Sequence, residues 1–157
     1  MSFESVKEYL KEYGLDDRAM EFPVSSASVA LAAEAVGCLE KEIAKTMAFK
    51  VDGKAVLVVM AGDAKIDNPK YKAAFGTKAV MLKGEEVENM TGHPIGGVCP
   101  FDVREGADVY LDVSLRRFET VYPACGSSSS AVKLSIEELE KASCFKDWVD
   151  IGKGWEQ

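Results

Sequence analysis

The sequence predicts a mixed α/β domain (α+β): a curved mixed sheet or barrel-like core with flanking short helices. Three observations carry that expectation. Two β-rich runs, residues 44–51 and 54–60, flank Asp52-Gly53, a dipeptide suited to a tight hairpin turn because both positions tolerate positive φ. Short segments of helical period, several with their own start or stop signals, lie before, between and after the strands. The other strand candidates are short as well, and no internal repeat organises them.

In chain order, Phe3, Val6, Tyr9, Leu10 and Tyr13 recur at helical spacing, and Gly14 offers a stop. Glu21 to Val24 reads as an extended lead-in. Ser26 or Ser28 supplies the N-cap of a helix from Val29 to Val36, closed by Gly37. The hairpin follows. Asn68-Pro69 opens a short helix through Phe75, closed by Gly76. Lys78–Leu82 is read as a strand and Glu85–Met90 as a helical turn. Residues 109–113, 118–122 and 132–134 are further strand candidates. Ser135-Ile-Glu-Glu has the form of a capping box for a helix to about Ala142. Trp148 and Trp155 are expected to pack the C-terminal segment over the core.

The chain of 157 residues fits one domain, 1–157, with 47% hydrophobic and 29% charged residues. No apolar run reaches the roughly 18 residues of a membrane span. The first residues lack the basic-then-apolar pattern of a secretory signal, so a cytoplasmic location is expected. Cys38, Cys99, Cys125 and Cys144 are widely spaced and the chain has one histidine, so four free thiols are expected, with no metal and no cofactor. The net charge of −7 is unevenly spread. Residues 41–83 carry nine lysines against four acidic side chains. Such a segment is either the solvated face of strands and a helix or a local basic surface for a phosphate backbone.

Two segments stand out chemically. Residues 92–101, Gly-His-Pro-Ile-Gly-Gly-Val-Cys-Pro-Phe, hold three glycines and two prolines. They form either a tight turn or a stiff loop whose N–H groups hold a carbonyl, an oxyanion or a phosphate. On residues 43–50, strand alternation puts Lys45 on one face with Ile43, Met47 and Phe49. A lysine among apolar neighbours either snorkels outward or lines a pocket. His93 is the sole candidate imidazole base, with simple hydrogen bonding to backbone as its alternative. A nucleophilic role for Cys99 or Cys125 would need that imidazole as partner, and both are read as small pocket-lining residues. Asp63 and Asp67 are read as turn or N-cap residues.

The segments "IAKTMAFK", "AGDAKID" and "TGHPIGGVCPF", in this order and spacing, resemble the YbaK/aminoacyl-tRNA synthetase-associated editing family, whose members are relatives of the editing domain of bacterial prolyl-tRNA synthetases. The resemblance runs from about Val24 to about Leu139. It implies hydrolysis of the ester of a mischarged tRNA without a protein nucleophile. Lys45 falls on the family's functional lysine, and Gly96, Gly97, Val98, Cys99 and Pro100 fall on its active-site loop, with donors at Gly97, Val98 and Cys99 toward the ester carbonyl. Phe22, Met47, Phe49, Met81, His93, Cys125, Gly126 and Ser127 are expected to contact the substrate, and pocket size to come from Phe22, Met47, Phe49, Met81, Cys99 and Cys125. The expected partner is the 3′ end of an aminoacyl-tRNA, with an aminoacyl-tRNA synthetase open as a second. Cysteinyl, alanyl and prolyl esters all stay open, as do a non-catalytic binding module and a hydrolase of small esters.

Overall fold

The computed structural model describes residues 2–155. Its strands in chain order are β1 (Ala19–Glu21), β2 (Ile43–Val51), β3 (Lys54–Ala61), β4 (Lys65–Ile66), β5 (Asp108–Asp112), β6 (Thr120–Pro123), β7 (Ser130–Val132), β8 (Leu134–Ser135), β9 (Asp147–Val149) and β10 (Gly152–Lys153). The helices are α1 (Phe3–Lys11), α2 (Val29–Val36), α3 (Asn68–Phe75), α4 (Glu85–Thr91) and α5 (Ile136–Ser143). Six strands in the order β8-β6-β2-β3-β5-β9 form a curled half-barrel, while β1 pairs with β7 and β4 with β10 in two small antiparallel ribbons.

The β2–β3 hairpin is the frame. Asp52 and Gly53 both have positive φ, at 50° and 78°, as the right-handed twist of a two-residue turn requires. β3 is central and buried on both faces, which explains its unbroken apolar run from Ala55 to Ala61. Ala55, Leu57, Val59 and Ala61 enter the main core with Leu111, Leu115, Val121 and Phe101. Val56, Val58 and Met60 look the other way, onto Phe49, Tyr71 of α3 and Ile151.

Several helix limits follow from their caps. Ser28 Oγ accepts the Leu31 N–H at 3.2 Å and Gly37 closes α2 in the left-handed region. Asp67 caps α3, accepting the Lys70 N–H at 3.0 Å. Ser135 and Glu138 form the reciprocal box that starts α5.

The expected strand over residues 78–82 shrinks to a single bridge, Phe49 to Met81. The outer edge of β2 is divided. Its start pairs with β6 at Ile43 and Ala44, and its far half bonds to residues 80 and 82 through Lys50 N–H to Val80 O and Leu82 N–H to Ala48 O. Between them the edge at Lys45 to Met47 meets neither neighbour. No described helix is long and apolar enough to cross a membrane.

Candidate active site

The divided edge of β2 opens into a cavity of about 240 Å³. Ser26, Ala27 and Ser28 border it before α2, and Val29 and Ala32 cover it from α2. Ile43 to Thr46 supply the β2 wall. Gly96 and Val98 come from the glycine loop, Tyr122 and Ala124 from β6 and its exit, and Ser130 and Ala131 from β7. The lining is built of alanines, hydroxyl side chains and a few aliphatic groups, with Lys45 its only charged group among the described residues.

Lys45 and Thr46 see the cavity from opposite faces of one strand. The Lys45 ammonium donates to the carbonyl of Ala64 in the turn after β3. Burial lowers its pKa, the Asp63 carboxylate opposes that shift, and the Lys65 charge adds to it. Thr46 Oγ1 is buried without a hydrogen-bond partner among the described residues. Ala48 and Lys50 turn their backbone groups to the outer edge, so Thr46, two residues earlier, turns its own N–H and C=O toward the gap.

The glycine loop has two sides. Gly96 takes φ +86°, and a Cβ there would stand 3.1 Å from Ser128 Cβ. A Cβ on Gly97 would lie 2.8 Å from Ser127 Cα. These glycines therefore let the loop lie against the serine loop after β6, a packing demand that the sequence alone does not display. The Gly97 N–H is bonded to Pro94 O at 3.0 Å, so the donor expected of it is spent inside the loop. Among the described residues the Gly96 and Val98 N–H groups have no acceptor, and both residues face the cavity.

The other side of the loop belongs to the core. Cys99 is fully buried, its Sγ 3.6 Å from His93 Nε2, and burial pushes its thiol pKa far up. His93 is equally buried. Its Nε2 lies 2.7 Å from Phe101 O and acts as donor, while Nδ1 has no partner. Burial lowers the imidazole pKa, with the Phe101 carbonyl opposing. Pro100 borders a separate cavity of about 260 Å³ with Tyr9, Asp102 and Cys144.

The expected pocket residues are not those that line the cavity. Phe49 packs at a tilt against Tyr71, 4.9 Å between ring centres, and Met47 packs in the same cluster, because β2 carries its later residues away toward α3. Met81 is exposed beside Phe49. Phe22 is held by its N–H on Ser129 O, outside the lining. Cys125 lies in the main core, its thiol pKa pushed up to about 12 by burial. Gly126 and Ser127 form the turn behind the wall.

Ser130 organises that turn. Its Oγ accepts from the Cys125 and Ser127 N–H groups at 3.1 and 3.3 Å and donates to Ser127 O. Sequence reading passed over Ser130 as one of four identical serines, although it alone among them is fully buried. Thr46 was overlooked too, despite standing beside Lys45. All four cysteines are unpaired. Among the described residues no group of three or more His, Cys, Asp or Glu side chains is placed to hold a metal ion.

Residues 24–142 match the model of the aminoacyl-tRNA editing domain. The chain is 48% identical, over 99% of its length and 100% of the relative's, to the uncharacterized protein YwhH of Bacillus subtilis (strain 168). It is 30% identical over 114 residues to a proline–tRNA ligase of Bacillus cytotoxicus, matching 70% of this chain but only 20% of the ligase. A solved structure described as a candidate trans-editing enzyme for prolyl tRNA synthetase superposes with a TM-score of 0.86 at 27% identity, covering 97% of both chains. The chain belongs to the aminoacyl-tRNA editing domain family.

Proposed function

We propose that the protein is a trans-editing aminoacyl-tRNA deacylase, which hydrolyses the ester joining a wrong amino acid to the 3′ end of a tRNA. The observation that carries this reading is the cavity at the gap in β2, where one ammonium, one unpartnered hydroxyl and two unbonded N–H groups converge without a carboxylate. Its volume, about 240 Å³, lies below the ~300–1,000 Å³ usual for drug-sized ligands. That suits an aminoacyl group with part of a ribose better than a whole nucleoside.

The chemistry asked of the site is modest. Gly96 and Val98 N–H groups are the donors for the ester carbonyl oxygen as it gains negative charge. Water, oriented by the Thr46 backbone groups and by the substrate's own hydroxyl, attacks the carbonyl carbon. Collapse of the tetrahedral intermediate breaks the C–O bond to the ribose, whose oxygen takes up the proton that the water gives up through that hydroxyl, and releases the amino acid. Lys45 lies where an anionic or polar part of the tRNA terminus would relieve the cost of its burial. The buried thiols and the buried imidazole have no part in this scheme, because none borders the cavity, and burial also keeps both thiols protonated.

One observation favours a second reading, a module that holds aminoacyl-tRNA without hydrolysing it: among the described residues no carboxylate, imidazole or thiol lines the cavity to act as base. A panel of labelled aminoacyl-tRNAs separates the two. Loss of one ester, abolished in a folded Lys45→Ala variant, supports the deacylase. Retarded but intact aminoacyl-tRNA supports the module. Loss from small esters alone would contradict both. The same panel identifies the amino acid, with alanyl, cysteinyl and prolyl esters as the first three to try.

A further inference from the structure

β4 and β10 form a two-stranded antiparallel ribbon in which Lys65 stands directly opposite Lys153. Directly opposed residues project from the same face with Cβ atoms roughly 4.5–5.5 Å apart, and like charges so placed destabilise the pair. Both lysines are exposed, and among the described residues neither makes an ion pair. Among the described residues no carboxylate relieves that repulsion.

The position of this pair is specific. Lys65 follows Ala64, whose carbonyl holds the Lys45 ammonium, and the Lys65 charge reaches Lys45. The nearby carboxylate, Asp63, does not serve as counter-ion to the ribbon. Both its oxygens are taken by Arg117, at 3.0 and 2.6 Å. Lys41 adds a further positive charge close to Asp63. At the opposite end of the β2–β3 hairpin the pattern reverses: Lys50 pairs with Glu86, and Lys54 with Asp108. Beside the ribbon Asp150 is likewise held by Lys70, at 3.1 Å, so Lys65 and Lys153 keep their charges without an ion pair among the described residues. Lys153 joins Lys65 from 88 positions later in the chain, so the basic surface is not the segment 41–83 as such.

We propose that Lys65 and Lys153 together grip a backbone phosphate of the nucleic acid whose 3′ terminus enters the cavity past Lys45. A phosphate accepts hydrogen bonds from both ammonium groups at once and turns their mutual repulsion into shared attraction. Nucleic acid fits better than an acidic protein surface because the ribbon adjoins a cavity read as the seat of an aminoacyl ester. The inference rests on that reading for its choice of partner, but its test does not depend on hydrolysis.

The test measures the affinity of uncharged tRNA across a salt series for the wild-type protein, the Lys65→Gln/Lys153→Gln double variant and Lys153→Glu. One lost phosphate contact lowers the slope of log K against log salt by about 1. The double variant should show that drop, with weaker binding at low salt and a melting temperature that holds or rises as the repulsion is removed. Lys153→Glu should bind tRNA as weakly or more weakly while its melting temperature holds or rises, because opposite charges then face each other. Hydrolysis of a short aminoacyl-adenosine ester, where the wild type shows it, should be unchanged in both. Wild-type slope and affinity in the two variants would overturn the phosphate grip. Absence of hydrolysis in every protein, with the slope change present, would refute the deacylase and leave the grip standing.

Discussion

Within ten residues of one loop, Gly96 and Val98 look into a cavity while His93, Cys99 and Phe101 are sealed in the core. The residues with familiar reactive side chains are on the packed side. The residues on the open side offer little beyond backbone. That division teaches what kind of chemistry the fold can support: fixed dipoles and one cation at a small pocket, rather than a nucleophile and base. Cys99 and His93 are in contact, yet burial disfavours both the thiolate and the imidazolium that a catalytic pair would need. Their contact is a feature of packing.

The sharpest way to break this comparison is at Phe101. Its ring is fully buried in the main core, and its carbonyl receives His93 Nε2. Phe101→Ala should cost about 3–5 kcal/mol of stability, read by urea unfolding, through the cavity it leaves. A variant of near wild-type stability would mean that the packed side of the loop is not packed.

A smaller effect concerns pH. The folded-state pKa of His93 lies below its unfolded value of about 6.5, so the unfolded chain takes up the proton more readily. Stability is then complete above about pH 6.5 and declines as pH falls from there toward the folded value. The melting temperature of the wild type should drop between pH 7.5 and 5.5, and that drop should be absent in His93→Asn. Carboxylates held low against the opposing effect of burial, Asp63 by Arg117 and Glu138 by the Ser135 N–H and then Arg18, contribute their own losses only at more acid pH. A flat wild-type profile over this window would place the imidazole in contact with water.

Much of the fold was legible because its signals are local. Asp52-Gly53 specifies its turn, Ser28 with Gly37 and Asp67 with Gly76 bracket their helices, and Ser135 with Glu138 starts the last one. What was not legible depends on partners. Residues 78–82 have the composition of a strand, but β2 has only half an edge to offer them. β4 and β10 are two residues each, too short to show a period, so the Lys65–Lys153 pair appears only once the chain has folded back. At the site, Lys45 was legible as an oddity on an apolar face. The alanines and hydroxyls that line the cavity were not, because small residues carry no pattern, whereas Met47, Phe49 and Cys125 nearby are large or reactive yet pack into the core. The two sides of the glycine loop were hidden for a similar reason: a Pro94–Gly97 turn interrupts the alternation that would have revealed them.

The central claim is that chemistry happens at the cavity side of this loop and not at its thiol. Single-turnover loss of the aminoacyl ester, measured on the substrate identified by the panel for Ala124→Phe and for Cys99→Ala, tests it most directly. Ala124 half-faces the cavity at the exit of β6, so a phenyl ring there occupies the space of the aminoacyl group. Ala124→Phe should lose about 100-fold or more in rate, since displacement of a substrate by about 1 Å can cost that much, with folding verified by the melting transition. Cys99→Ala should keep a rate within a few-fold of wild type. Loss of turnover in folded Cys99→Ala, with Ala124→Phe still active, would contradict the claim.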